Sequence, residues 1–391
     1  MAELLSPTGE ERDELVATRR DIHAHPELKY EEHRTAGLVV ERLTSLGYET
    51  RAGVGRTGVT TLLEGEAPGP CVLLRADMDA LPLQERNEVP YASQNDGVMH
   101  ACGHDGHTAM ALTAARILQR VPAPSRGSIK LMFQPAEEGG NGAVAMIDDG
   151  VLKSPDVDAA FGIHLWNHLD VGKVAIVDGP FMASVDEFTA VIHGTGGHGA
   201  MPHEAHDPVL AAAHVVTALQ QIAARNVSPL QAAVVTVGAI HGGEAFNIIP
   251  DRVELRGTAR SFDEDVWAAL PGHLDRVVSR TAEAFGCRAE IEVRRMMRPT
   301  INDPAMAALV REVARDVVGE ENIVEERTMG GEDFAEVLAL VPGCYFFVGS
   351  RNEAQGKHHP HHSPHFDIDE AALPIGARML AEVAHRYLGR G

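Results

Sequence analysis

Hydrophobic positions in the first fifty residues recur at helical spacing. In "EERDELVATRRDIH" Leu15, Thr18 and Ile22 share one face; in "EEHRTAGLVVERLTSLG" Ala36, Val39, Leu43 and Leu46 do the same, with Gly47 as a C-terminal stop. The pattern then changes. "TGVTTLLEG", "PCVLLRAD", "SIKLMFQ", "DAAFGIH" and "GCYFFVGS" are short apolar runs bounded by Gly, Pro or acidic residues, and they predict strands. "HTAMALTAARILQRV" predicts a largely buried helix between the second and third of them. Strands alternating with helices predict an α/β domain around a mostly parallel sheet.

The middle of the chain follows another order. "EFTAVIHG", "DPVLAAAHVVTALQQIAA", "AAVVTVGAIHGG", "RVELRGTAR", "DEDVWAALPGHLDRVVSRTAEAF" and "AEIEVRRM" spell strand, helix, strand, strand, helix, strand. That order predicts a small α+β sandwich of the ferredoxin-like, split βαβ type. The larger domain is therefore expected over residues 1–182 and 297–391, with 183–296 as an insertion.

Length and composition agree with two globular domains. The chain has 391 residues, 44% hydrophobic and 23% charged. A formal net charge of −22 argues against nucleic acid or an anionic membrane as partner, and an anionic substrate would need a local cationic anchor. No apolar run approaches the ~18 residues of a membrane span. The opening "MAELLSPTGEERDEL" has no basic segment followed by an apolar core, so no signal peptide is expected. Cys71, Cys102, Cys287 and Cys344 lie far apart and read as free thiols of a reducing, cytoplasmic compartment.

Reactive side chains fall where strands end. "CVLLRAD" ends at Asp77 with Asp79 just beyond, "SIKLMFQPAEE" runs into Glu137 and Glu138, "FGIH" ends at His164, and "CYFFVGS" feeds the histidine-rich "KHHPHHSPH". "MHACGHDGHTAM" adds Cys102 and His104 from a loop expected to precede a helix. In an open α/β sheet, sites form beyond the carboxyl ends of the strands, so these segments share one rim. A thiol and imidazoles spaced by glycines favour a metal site there. Taken alone, the "HHPHHSPH" run reads as an exposed polar loop.

The blocks "IHAHPEL", "LLRADMDALPL", "MHACGHDGHTAM", "FQPAEEGGNGA", "GIHLW", "GGHGAMPH", "FNIIPD", "GTARSFD", "MGGEDF" and "HHSPHFDIDE" resemble the aminoacylase, hippurate hydrolase and indole-acetyl-amino-acid hydrolase branch of the M20 metallopeptidase family. They span residues 22 to 370 in family order. Two departures are Thr195, where relatives often carry a basic residue, and Asn141, where a third Gly is expected. The resemblance implies a large di-metal catalytic domain with an inserted lid and dimerisation domain. It implies two divalent ions, Mn²⁺ or Zn²⁺ with Co²⁺ also admitted, held by Cys102, His104, Glu138, His164 and His362, the last preferred over His361 because it directly precedes the "SP" dipeptide. It implies Glu137 as general base, Asp79 as the carboxylate orienting a ligand His, His198 as oxyanion donor, often from the partner subunit, and Asn247 and Arg260 as holders of the substrate carboxylate. The activity so implied is hydrolysis of N-acyl-L-amino acids by a homodimer or dimer-based tetramer. The alternatives are a dipeptidase or carboxypeptidase of the same family, or a catalytically dead metal-binding homologue.

Overall fold

The computed structural model describes residues 4–389. They form two compact units. The larger runs through Gly179 and resumes over Ile301–Arg327 and from Asp333 onward; the smaller comprises Pro180–Thr300 and Thr328–Glu332. Among the described residues no helix is long and apolar enough to cross a membrane.

The larger unit opens with α1 (Gly9–Ala24) and α2 (His33–Ser45). A capping box starts α1: the Thr8 hydroxyl accepts from the Glu11 amide and the Glu11 carboxylate accepts from the Thr8 amide. Past the end of α2, Gly47 takes φ 89°, a left-handed turn that suits glycine. The sheet follows as β1 (Thr50–Val54), β2 (Gly58–Glu64), β3 (Cys71–Asp77), β4 (Ser128–Gln134), β5 (Ala159–Asp170) and β6 (Val174–Ala175), with two later strands, Ile323–Val324 and Gly343–Arg351. Their order is β1, β2, β4, β3, β5, Gly343–Arg351, β6, Ile323–Val324. The middle of the sheet (β4, β3, β5 and Gly343–Arg351) is parallel, and antiparallel pairs flank it. Helix α3 (His104–Arg120) and the helix Ala372–Leu388 pack into the same core as the central strands.

Two elements differ from the sequence expectation. Helix α3 begins at His104, three residues earlier than the apolar periodicity indicates, so His104 and His107 lie on the helix one turn apart. Gly103, at φ 92°, makes this early start sterically easy. Strand β5 runs on to Asp170, so His164 sits within the strand rather than at its end. The cause is a change of partners. Pairing of β5 with β3 stops at Gly162, opposite Arg75, whereas pairing with Gly343–Arg351 continues to Asp170. His164 therefore lies just past the point where the β3 side of the ladder falls away.

The smaller unit is a four-stranded antiparallel sheet in the order Ala233–His241, Arg252–Ser261, Val185–His193, Arg288–Met297. Helices Pro208–Gln221 and Glu264–Ala284 share its apolar core, built from residues such as Phe188, Val215, Leu255 and Leu274. This is the split βαβ arrangement. A separate two-stranded ladder pairs Gly197–His198 with Ile248–Ile249.

A charged group lies inside the larger unit. Arg19 is fully buried, 2.7 Å from Asp105, 2.9 Å from Asp367 and 3.3 Å from Glu370. It joins α1 to the first turn of α3 and to the segment before the last helix. Replacing one member of a buried ion pair costs about 3–5 kcal/mol because the partner charge is left uncompensated. Arg19→Met is expected to destabilise the protein by that amount in urea unfolding; a change under ~1 kcal/mol would mean the network is not stabilising.

Candidate metal centre

Five segments of the larger unit deliver their polar side chains to one cluster. β3 leads into Asp79, β4 into Glu137 and Glu138, β5 carries His164, α3 starts at His104 just after Cys102, and the loop following Gly343–Arg351 carries His362. The donor atoms form overlapping groups, each with all its members within 4.8 Å of one another: Cys102 with His104 and His164, Cys102 with Glu138 and His362, and His104 with Glu137 and Glu138. Shared members chain these groups together, so the structure brings the five expected ligands and Glu137 into one place. A further group, Asp77 with His104 and His107, lies next to it.

Two backbone-centred devices orient the imidazoles. The first is Asp79. Its Oδ1 accepts from the Glu137 amide and its Oδ2 from the Glu138 amide, both at 3.0 Å. His104 Nδ1 donates to the Asp79 carbonyl at 2.8 Å and lies 3.3 Å from its carboxylate. That bond leaves His104 Nε2 as the nitrogen facing the cluster. The second device is the Leu165 peptide. Its carbonyl accepts from His164 Nδ1 at 2.7 Å and from His361 Nε2 at 2.9 Å, while its amide donates to His107 Nε2 at 2.8 Å. His164 thus turns Nε2 toward Cys102 Sγ, 3.5 Å away. His107 donates its Nδ1 proton to Asp77 at 2.6 Å. His361 is held by Leu165 and stacked on Trp166 at 4.6 Å, and it belongs to none of the donor groups. His362 Nε2 instead lies 3.0 Å from Glu138 Oε1.

Some of the backbone strain lies in the same segments. Ala136 (φ 53°), Asn141 (φ 55°) and His362 (φ 64°) are left-handed non-glycine residues. Such conformations cost about 1–3 kcal/mol each and persist where surrounding bonds impose them. The Ala136 amide donates to Glu32, and the His362 amide donates to the Ala101 carbonyl. Asn141, the departure from the expected glycine, keeps the left-handed turn because Asn tolerates it better than most residues.

The electrostatics describe a cluster that needs positive charge. Burial, and then repulsion by Glu138, Glu137 and Asp77, push the Cys102 thiol well above its usual range. Burial alone would lower His104, but Asp77, Asp79 and Glu138 raise it to about 10. Burial and the neighbouring His107 and His361 hold His164 neutral, far below the usual imidazole range. Asp77 stays ionised against its own burial through His104, Arg75 and His107. His104 Nε2 is buried without a hydrogen-bond partner among the described residues. An orphaned buried donor of this kind costs ~1–3 kcal/mol. A divalent cation bound to this nitrogen in place of its proton would remove that cost, and it would also lower the thiol's pKa and take its sulfur as ligand. The donor set of thiol, imidazoles and carboxylates fits such an ion.

The other expected site residues belong to the smaller unit. His198 and Asn247 are neighbours on the two-stranded ladder, where His198 pairs with Ile248 and the Gly199 amide donates to the Asn247 carbonyl at 2.8 Å. Arg260 lies on the four-stranded sheet. Its Nη1 donates to the Met329 carbonyl at 2.8 Å, and it faces no carboxylate among the described residues.

The family model for peptidase family M20/M25/M40 matches residues 73–386, which hold the whole of this cluster. The chain belongs to that family. Among curated relatives, the M20 chain is 42% identical to IAA-amino acid hydrolase ILR1-like 4 of Arabidopsis thaliana, over 96% of its own length and 86% of the relative's. It is 41% identical to N-acetyl-L-cysteine deacetylase of Bacillus subtilis (96% and 88% covered). It is also 41% identical to thermostable carboxypeptidase 2 of Saccharolobus solfataricus (98% of each covered). Its fold matches the crystal structure of the Bacillus subtilis YXEP protein, described as a dinuclear metal binding peptidase from the M20 family, with TM-score 0.86, 34% identity, and 98% and 99% of the two chains covered.

Sequence reasoning assigned no role to His107, Arg75 or the Leu165 peptide of this M20 site. His107 carried a usable signal, because three residues from His104 is one helical turn once α3 is started early enough. A peptide group carries no side-chain signal at all.

Because His104 and Cys102 both hold protons when no cation is present, ion uptake must displace them. About two protons should be released per site filled at pH 7. Apparent affinity should then rise as pH rises from 7 toward 10, through the His104 value. Isothermal titration of stripped protein in buffers of different ionisation enthalpy measures this; uptake with no proton release would contradict the assigned protonation states.

Proposed function

We propose that this M20 chain is a metal-dependent amidohydrolase cleaving N-acyl-L-amino acids, with acetyl, benzoyl or similar acyl groups, to a carboxylate and a free amino acid. The observation that carries the reading is the different setting of two consecutive carboxylates. Glu138 faces His362 at 3.0 Å, as a ligand would. Glu137 is almost wholly buried and groups with His104, while its amide is fixed by Asp79. One carboxylate can hold metal while the other handles protons.

Cys102, His104, Glu138, His164 and His362 are the proposed ligands. Two divalent cations, Mn²⁺ or Zn²⁺ with Co²⁺ also suited to mixed N, O and S ligation, supply a water of lowered pKa and positive charge near the acyl oxygen. Five protein ligands leave coordination positions open, as hydrolysis requires. Glu137 accepts the proton of the attacking water and returns it to the leaving nitrogen. Asp79 positions His104 and both glutamate amides, an indirect role of the kind worth ~10–100-fold. His198 donates to the developing oxyanion, a contribution of ~10²–10³ in rate. Arg260, half-buried and facing no carboxylate among the described residues, is suited to hold the substrate carboxylate together with Asn247.

The smaller unit is proposed to join two copies. Met201, Val209, Leu210, Leu230, Ile240, Phe246 and Ile248 are exposed large hydrophobics of that unit, and its strand Ala233–His241 is a sheet edge. Phe246 and Ile248 flank Asn247, so a copy covering them would lie close to the proposed substrate-holding residues. The proposed location is the cytoplasm, in keeping with four free cysteines.

A carboxypeptidase relative shares similar identity, so one panel decides the substrate class. N-acetyl- and N-benzoyl-amino acids are expected to be turned over with kcat/KM well above that for dipeptides and blocked peptides, and chelation to abolish both rates. Preference for peptides would replace the reading with a peptidase. Glu137→Gln is expected to lower kcat by about 10²–10⁴ with metal content unchanged; near-normal kcat would remove Glu137 as base. Mixed dimers of Glu137→Ala and His198→Ala protomers are expected to regain activity if His198 serves the partner's site. Inactivity in demonstrated mixed dimers would place it in cis.

A further inference from the structure

The loop after Gly343–Arg351 carries three imidazoles besides His361 and His362. His358 and His359 stack with ring centroids 4.7 Å apart, and His359 and His365 lie 5.3 Å apart with 39° between ring planes. The three side chains make no hydrogen bond or ion pair with other groups among the described residues; they touch one another.

Their backbone is held firmly. Asn352 and Lys357 exchange amide–carbonyl bonds at 2.7 and 2.9 Å, and Asn167 donates to the His359 carbonyl at 3.0 Å. The His362 amide reaches Ala101 at 2.8 Å, the Arg86 amide reaches the Pro364 carbonyl at 2.9 Å, and Asn87 reaches Phe366 at 2.8 Å. Pro360 and Pro364 restrict the backbone further. Ordering this loop has no cost left when a ligand arrives. Imidazole nitrogens bind a divalent cation such as Zn²⁺ at ~2.0–2.1 Å. Burial and the adjacent His358 and His365 lower His359, so it stands in the neutral, ligating form near pH 7.

His362 is also the open member of the ligand set. Its side chain is 55% exposed, whereas His104 is at 1%. The centre is therefore reached by solvent on the side that this loop forms, three residues from His359 and three from His365.

We propose that His359 and His365 form a second, exposed site for a borderline divalent cation such as Zn²⁺ or Co²⁺, and that this site holds the ion on its way to the buried centre. The ion is first bound by neutral imidazoles and water, then passes to His362 and Glu138, and no redox change is involved. The site itself uses only residues outside the proposed catalytic set, so its zinc count stands or falls separately from the amidohydrolase reading, whereas its supply role rests on the ligands proposed there.

The test uses the metal-loaded enzyme and the double variant His359→Ala/His365→Ala. Equilibrium dialysis against Zn²⁺, with bound metal counted by atomic emission, is expected to give one more equivalent per chain in the unaltered enzyme than in the variant, with the resident ions retained in both. Stripped enzyme is then refilled with limiting Co²⁺ and followed through the thiolate-to-cobalt absorption at Cys102. The variant is expected to fill more slowly but to the same final absorbance. The conservative pair His359→Gln/His365→Gln should reproduce both effects and guards against a folding defect in the alanine variant. Equal zinc content in all three proteins would overturn the site, and equal filling rates would overturn its role in supplying the centre.

Discussion

The whole site hangs on the carboxylate of Asp79. It accepts from two consecutive amides, those of Glu137 and Glu138, and stands beside His104 Nδ1. Hydrogen bonds to a charged acceptor contribute about 1.5–3 kcal/mol each, enough to offset the ~1–3 kcal/mol cost of the left-handed turn at Ala136. The bonded amides face Asp79, so the chain cannot continue as a strand after Gln134. It turns, and the two glutamate side chains leave it at one level. The same residue fixes which nitrogen of His104 faces them. One acidic side chain thereby registers the ends of β3 and β4 against the start of α3.

The opposite wall depends on a peptide group. The Leu165 carbonyl and amide hold three imidazoles, two as donors and one as acceptor. A backbone unit in a strand can do this only if a sheet partner does not already take its bonds. On the β3 side of β5 the ladder has ended by Gly162, which frees the Leu165 peptide for side chains. Close approach of α3 is needed as well. A Cβ at Gly106 would stand 2.5 Å from Leu165 Cδ1, so glycine lets the helix lie against the strand and brings His107 to the amide. The two glycines of "HACGHDGH" have separate tasks: Gly103 starts the helix and Gly106 seats it.

How far the sequence carries this arrangement depends on what kind of group does each job. The alternation of elements, the split βαβ insertion and the gathering of Cys102, His104, Glu138 and His164 were legible, because apolar periodicity and strand-end positions are side-chain patterns. The extent of β5 was not, since a strand that loses one partner but keeps the other shows no change in its own apolar run. The true start of α3 was hidden for a related reason: its first turn consists of His104, Asp105, Gly106 and His107, polar or small residues buried by charge pairing rather than by apolar packing. The separate fates of His361 and His362 were also beyond periodicity. They differ because His362 adopts a positive φ, which turns adjacent side chains to unrelated surroundings.

Charge arranges the larger unit in depth. Nearest the donors stand Glu137, Glu138 and Cys102; behind them, Asp77 is matched by Arg75 at 2.5 Å and by His107; to one side, Asp105 is matched by Arg19 and His23. Asp77 and Asp105 thus each have an arginine inside the protein, whereas Asp79 is held by backbone amides and His104, and the front layer has the imidazolium of His104 with His362 opposite Glu138. His104 is also a proposed ligand, and it cannot serve as both cation and ligand. A metal ion entering the front layer must therefore replace its proton, and that of the Cys102 thiol, while the inner pairs remain as they are. The fold gives Asp77 and Asp105 fixed internal cations, and it leaves an exchangeable one where the proposed chemistry calls for a metal.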